Sequence, residues 1–502
     1  IASKLVSNTF FISLEWIAVT ILSLFFWLVI GKTLSPSDYG IISVFVNFTV
    51  VIGTLIPLGT SLALFKLIPE YTRRNELGKI TSSIRFTVKL ILTMTIISSI
   101  LILIFSDLIS TSLKIPKDTV YLLPFSILFF SMLTHQGQII LGFQKAKFST
   151  ITSSIGQSLR TVLSAVLIIL QMKFLGPIIA FLSGSALIFL TRINFLNYNH
   201  KPEDIDGKEL IMKFGIPSFL AKITNLLLLS GGSLILALFQ TQDVVGIFAL
   251  AMLLTSQLSV IPNIFSSALF PITSLLSVDN DSQKRQAHLI KLIFRYSLLI
   301  TLPLLIFVTL FSGKLIVLLS QASYLPAVQL IPILAIGALF LGISYIFTNS
   351  LYAIGKPNIQ RNLIVTTAIV YLSLAFPLSY YFSSLGIAVA YTISAYILFT
   401  LSFIYLKNAL HFSIPWTSTG KLLSANIISF GILYILSNYA PNIWIGILFT
   451  MITGVVYLTL LLLLRFYTKD DINLINRLSV HLPLGKNYAK LAVRIISRFP
   501  EG

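Results

Sequence analysis

Three ionisable side chains, Glu15, Arg160 and Lys222, lie inside long apolar stretches of the chain. A charge buried that deep costs about 2.5 to 3.5 kcal/mol on insertion scales, so it normally faces a wet cavity or a partner. At 1.5 Å of rise per helical residue, Glu15 lies roughly 10 Å, Arg160 about 15 Å and Lys222 about 12 Å from the nearest polar end of its stretch, which puts all three in one layer. His135 and Gln138 fall in that layer, as do Gln157, three residues before Arg160, and Asn225, three after Lys222. Spacing of i, i+3 sets each of the latter two beside its cation. Arginine offers an anion a planar fork of donors and lysine a point charge, so the set reads as one hydrophilic pocket for an anionic guest. Glu15 would offset a cation while the pocket is empty, or take part in ion coupling. Two blander arrangements use the same residues: a salt bridge from Glu15 to Lys222 or Arg160 that only locks helices, and snorkelling to the interface. His135 is read as a hydrogen-bonded packing residue. Cysteine is absent, which excludes disulfides, thiolate metal sites and cysteine nucleophiles; no metal site and no cofactor are expected.

The elements that position these residues must be membrane helices. Of 502 residues 56% are apolar and 10% charged, against roughly 25% charged in a soluble domain, and the mean hydropathy is +0.94. One anchor on a soluble body cannot give such an average. Stretches long enough for a ~30 Å hydrocarbon layer fall near 8–30, 40–65, 86–106, 120–143, 150–171, 174–195, 214–239, 245–270, 292–312, 327–353, 362–382, 385–406, 421–437 and 441–464, predicting an all-α polytopic membrane protein of about fourteen spans. The crowded pairs at 150–195 and 362–406 are divided by polar breaks, at Gln171, Lys173 and Gly176 and at Ser383, Ser384 and Gly386. The termini and the connections after even-numbered spans hold 28 of the 35 Lys and Arg, and the odd-numbered connections hold five. That asymmetry predicts cytoplasmic termini, since cations collect on the inner side. Trp27, Tyr39, Tyr121, Tyr324, Tyr380, Tyr381, Tyr439 and Trp444 fall at the expected outer ends. The net charge of +19 is thus a topology signal, and nucleic acid is not an expected partner. No segment has the pattern of a signal peptide. Because the chain opens on Ile1 rather than Met, residues upstream are to be expected.

Similar segments recur at a spacing of roughly 205 to 211 residues. Gly40-Ile41 and Ile56-Pro57 match Gly246-Ile247 and Ile261-Pro262; Phe105-Ser106 matches Phe311-Ser312; Pro124 matches Pro332; Lys145 matches Lys356. Chance among Ile, Leu, Phe and Pro in so biased a chain is the alternative. An even number of spans per repeat gives halves of the same orientation, as in parallel-repeat transporters. The organisation expected is an N-terminal lobe over 1–197 (spans one to six), a cytoplasmic linker over 198–213, a C-terminal lobe over 214–406 (spans seven to twelve), two added spans over 421–465 and a tail over 466–502. Apolar residues from Leu474 to Ile496, interleaved with Arg477, Lys486, Lys490, Arg494 and Arg498, give the tail the pattern of amphipathic helices on an anionic membrane surface.

The heptapeptide Leu34-Ser35-Pro36-Ser37-Asp38-Tyr39-Gly40 starts a helix, with Ser35 as N-cap and Pro36 at the first helical position. A long span follows with Ile56-Pro57-Leu58-Gly59, then Pro69-Glu70-Tyr71 and the basic pair Arg73-Arg74. Further on come Phe214-Gly215-Ile216-Pro217, Gly313-Lys314-Leu315 with Tyr324, Leu351-Tyr352-Ala353-Ile354-Gly355-Lys356-Pro357 and Asp470-Asp471. In order and spacing these resemble the polysaccharide and lipid-linked oligosaccharide flippases of the multidrug/oligosaccharidyl-lipid/polysaccharide exporter superfamily, over nearly the whole chain. The resemblance implies a monomeric cell-membrane transporter of two six-helix lobes that moves a sugar-bearing polyprenyl (di)phosphate from the inner to the outer leaflet, with lipids and a coupling cation as its other partners and no enzyme chemistry. Arg160 and Lys222 would then hold the carrier's phosphates. Pro57, Pro262, Pro217 and Gly231-Gly232 are candidate bending points, although each is equally an ordinary membrane-helix residue. A cation-coupled drug antiporter of the same superfamily would need carboxylates in its spans, and Glu15 alone qualifies. A membrane glycosyltransferase or polymerase would need sizeable outer loops with catalytic groups, whereas the connections near 107–119 and 313–326 hold neither His nor Glu.

Overall fold

The computed structural model describes residues 2–198, 200–216, 219, 224–276, 282–468 and 471, which are helical nearly throughout and contain no strand. Among the described residues, eleven helices are long and apolar enough to cross a bilayer. One of them, Pro357–Leu410, is broken at Ser383 (φ 54°, ψ −137°), at the expected polar break. Two shorter apolar helices, Leu175–Thr191 and Thr224–Phe239, accompany them. The protein is therefore a multi-pass membrane protein. Its outward helix faces are apolar, with Val162 62% and Ile427 69% exposed, as lipid requires. Buried hydroxyls turn back on their own helices; Thr87 Oγ1, for example, donates to Ser83 O at 2.9 Å, leaving few polar atoms to solvate.

Two compact units are formed, the first from 1–254, 316–337 and 358–398 and the second from 255–315, 338–357 and 399–502. The first begins with α1 (Ala2–Thr33), α2 (Pro36–Leu55), α3 (Thr60–Arg74), α4 (Leu77–Ile104), α5 (Ser106–Leu113), α6 (Lys117–Gly142), α7 (Ala146–Ile169) and α8 (Leu175–Thr191). Ser35 caps α2 as read from the sequence, its Oγ accepting from Asp38 N at 3.2 Å. What looks in the sequence like one second span is two helices. Pro57 stands at the break, and Leu58 (φ 47°) and Gly59 (φ 74°) turn left-handed. A Cβ on Gly59 would sit 2.1 Å from Gly215 O, so only glycine gives both the conformation and the close approach. Pro262, by contrast, lies within the continuous helix Gln242–Leu276. Gly231 ends a π-helical turn, Leu227–Gly231, and Pro217 is outside the described residues. The connection after α8 lies along the start of α4, where His200 N donates to Thr81 Oγ1 at 3.3 Å.

Two of the matched segments contact each other within the first unit. A Cβ on Gly40 would meet Gln242 O at 2.1 Å, and one on Gly246 would meet Pro36 O at 2.0 Å. Gly40 pairs with Gly246 at the same offset that relates Pro36 to Gln242, so the two contacts are images of each other. Two lysines behave alike: Lys32 Nζ donates to Ser320 O at 3.3 Å and Lys114 Nζ to Gln240 O at 2.7 Å.

In the second unit Phe311, Leu433, Ala440 and Ile443 form a core, Phe294 stacks on Phe347 at 5.9 Å and Asn349 Nδ2 donates to Ser266 Oγ at 2.9 Å. Arg295 and Asp471 make a buried ion pair at 3.0 Å, with side chains 7% and 3% exposed. Asp471 also accepts from Thr468 N at 2.6 Å. Deleting one member of such a pair strands the other charge, a loss of about 3–5 kcal/mol. Asp471→Ala and Asp471→Asn both remove that charge and should both lower the unfolding midpoint of the detergent-solubilised protein, Asp471→Asn less because its amide oxygen still accepts from Thr468 N and Arg295. The remainder of the expected amphipathic tail lies outside the described residues.

Candidate functional site

α7 lies between α1 and α8. Thr150 Oγ1 reaches Phe11 O at 2.9 Å and Thr161 Oγ1 reaches Leu22 O at 3.2 Å, fixing α7 against α1. With α3 and α6 these helices surround a cavity of about 590 Å³, into whose wall Glu15, Trp16, Thr20, Thr54, Ser61, Thr134, Gln138, Ser149, Ser153, Gln157 and Arg192 project among apolar side chains such as Val19, Leu62 and Leu226. Glu15, Gln138 and Gln157, three of the layer expected from the sequence, thus share one chamber.

The cation facing Glu15 is Arg192, which caps the end of α8 and is 2% exposed. One of its terminal nitrogens lies 3.8 Å from Glu15 Oε1. The same nitrogen donates to Ser149 O at 2.8 Å and to Ser153 Oγ at 2.7 Å, while Nε donates to Thr152 Oγ1 at 2.8 Å. Ser153 Oγ in turn donates to Glu15 Oε1 at 2.6 Å, and Ser149 Oγ does so at 3.0 Å. Hydroxyls therefore bridge anion and cation, and both charges keep hydrogen-bond partners out of water, the condition for burying them. Sequence reasoning missed Arg192 because it counted as one of the cations of the connection after α8. A usable signal exists: a side chain at a helix C-terminus leans back over the preceding turn, and no polar spacer separates Arg192 from the apolar run ending at Thr191.

Arg160 departs from expectation. It is 7% exposed and does not line the cavity; its guanidinium lies 3.7 Å from the centre of the Phe26 ring and 4.6 Å from that of Phe181. The aromatic faces of α1 and α8 stabilise the flat, weakly hydrated cation there. Its NH1 donates to Gln157 Oε1 at 3.5 Å, a long contact, and Nε has no partner among the described residues. The neighbour expected from i, i+3 spacing is thus present, but the fork points into a ring stack. His135 is a fully buried packing residue, Nδ1 paired with Ser61 Oγ at 3.0 Å and Nε2 with Thr87 Oγ1 at 3.1 Å, tying α6 to α3 and α4. Asn225 is exposed and is not among the lining residues, while its neighbour Leu226 is. Lys222 lies outside the described residues.

Many apolar helices, some of them enclosing a chamber with a bridged ion pair, define a multi-pass membrane protein with an internal polar chamber. Solved structures agree on the fold. The chain is similar to the lipid II flippase MurJ in an inward closed conformation (TM-score 0.73, 17% identity, covering 89% of this chain and 97% of that one). It is also similar to an inward-facing multidrug resistance MATE family transporter of the MOP superfamily (TM-score 0.65, 14% identity, 80% of this chain and 98% of that one). An uncharacterized membrane protein of Methanocaldococcus jannaschii is 25% identical over 361 residues, 65% of this chain and 69% of that protein. The model of the family described as polysaccharide biosynthesis protein matches residues 5–277, and the chain belongs to that family.

Proposed function

We propose that this protein flips a polyprenyl-(di)phosphate-linked oligosaccharide from the inner to the outer leaflet by alternating access, for the synthesis of cell-surface polysaccharide or glycoprotein. The observation that carries this reading is the Arg192 fork, seated in a chamber whose other polar groups are hydroxyls, amides and one carboxylate. Removed from water, a phosphate needs charge-assisted donors and a sugar needs amide and hydroxyl partners. The prenyl tail stays in lipid while the head enters the chamber. Arg192 then exchanges its Glu15 and serine contacts for phosphate oxygens, Lys222 is the second phosphate contact, and Arg160 positions Gln157. Alternating access opens the chamber to one leaflet and then to the other. A dianionic head leaving an inside-negative cell gains about 2.3 kcal/mol per charge per 100 mV, so the potential alone biases export and a coupling ion is optional.

A second reading, a cation-coupled small-molecule antiporter, is favoured by Glu15, the one acidic side chain among the described lining residues. Proteoliposomes separate the two. With a labelled polyprenyl diphosphate oligosaccharide on one leaflet, the protein should speed its appearance on the other at least about tenfold over protein-free vesicles, at a rate set by the applied potential. Uptake of a lipophilic cation driven by a proton or sodium gradient, with no flipping, would establish the antiporter instead.

A further inference from the structure

A second charged recess lies on α4, away from the cavity. Arg85, Lys89, Leu92 and Ile96 follow one another at i, i+4, i+7 and i+11, which makes them a single stripe, and all four are exposed. The facing wall is Ile193, Leu196 and Tyr198, and the groove between holds about 470 Å³. Neither Arg85 nor Lys89 has an ion-pair partner among the described residues, whereas nearby Lys66 and Lys79 are paired with Glu70 and Glu76. The groove is graded, with two free cations at one end and aliphatic side chains beyond. From Arg85 to the end of α4 at Ile104 the helix rises roughly 28 Å, close to the ~30 Å hydrocarbon layer. Arg85 is thus level with lipid phosphates, Lys89 reaches them by snorkelling, and Leu92 and Ile96 lie at acyl depth. Tyr198 adds an amphipathic ring at the interface.

We infer that this groove binds one anionic phospholipid, its phosphate held by Arg85 and Lys89 and one acyl chain laid along Leu92, Ile96 and Ile193. A zwitterionic lipid fits worse because its ammonium would share the pocket with two unpaired cations. The site also bears on the cavity: the groove wall begins at Ile193, the residue after Arg192, so a bound lipid braces the helix end that sets the cavity's arginine.

Native mass spectrometry of the full chain in detergent, with equimolar phosphatidylglycerol and phosphatidylcholine, tests this without any transport assay. The wild type should retain one phosphatidylglycerol in preference to phosphatidylcholine. Arg85→Gln/Lys89→Gln should weaken that retention by roughly tenfold or more, from about 1 kcal/mol per lost cation, while Lys147→Gln/Lys356→Gln, which removes two exposed cations elsewhere, should keep it. Equal retention in Arg85→Gln/Lys89→Gln, an equal loss in the control variant, or displacement of the lipid by the same concentration of glycerol phosphate would each overturn the proposal.

Discussion

Arg192→Met is expected to reduce flipping by between about thirtyfold and several thousandfold, the equivalent of the 2–5 kcal/mol lost when one partner of a buried hydrogen-bonded charge pair is truncated. Two effects contribute and can be separated. The variant loses its contact with phosphate, and it strands Glu15, whose carboxylate faces Arg192 across 3.8 Å. Glu15→Gln added to Arg192→Met removes the stranded charge, so the double variant should regain most of the thermal stability and none of the transport. Arg192→Lys keeps the charge and loses the fork that reaches Thr152, Ser149 and Ser153 together; it should fall between. Arg160→Met should cost less than Arg192→Met, since the Arg160 guanidinium lies between Phe26 and Phe181. Wild-type flipping by the Glu15→Gln/Arg192→Met protein would reduce Arg192 to a helix clamp.

Gly246→Val is the second large effect. The substituted Cβ would lie 2.0 Å from Pro36 O and 3.0 Å from Gly40 N, against backbone that cannot rotate away as a side chain would. Overpacking usually costs about 1–3 kcal/mol; a backbone collision belongs at or above that upper end. Gly40→Val should match it, because its Cβ would meet Gln242 O at 2.1 Å in the image of the same contact. Since both substitutions force one pair of helices apart, the double variant should lose less than the sum of the two. Gly431→Val and Gly454→Val, with nothing within 4 Å of the added atom, should leave the unfolding midpoint nearly unchanged. Thermal unfolding of the four single variants and the Gly40/Gly246 double variant in one detergent checks the set.

The membrane-spanning fold was legible because hydrocarbon imposes long apolar helices, and the polar breaks were legible because they need unusual backbone: Gln171 (φ 61°), Lys173 (φ 44°) and Ser383 (φ 54°) all adopt left-handed values. The break at Pro57 was less visible, since the proline alone could sit in a continuous helix, as Pro262 does; what ends α2 is the Leu58-Gly59 turn against Gly215. In the site, axial depth was legible and direction was not. Glu15, Gln138 and Gln157 were placed in one layer and do share a chamber, but rise per residue says nothing about which way a side chain points. Arg160 turns to the aromatic pair Phe26 and Phe181, which two other helices, α1 and α8, bring to it. Arg192 reaches inward from a position that charge counting assigns to the connection outside.

The most direct test of the account uses Trp16, which lines the cavity. Its fluorescence, taken as the difference between the wild type and Trp16→Phe, should change on titration with polyprenyl diphosphate and not with polyprenol. The apparent Kd for the diphosphate should rise at least about thirtyfold in Glu15→Gln/Arg192→Met. Equal binding of the uncharged polyprenol, or an unchanged Kd in that double variant, would contradict a phosphate held at Arg192.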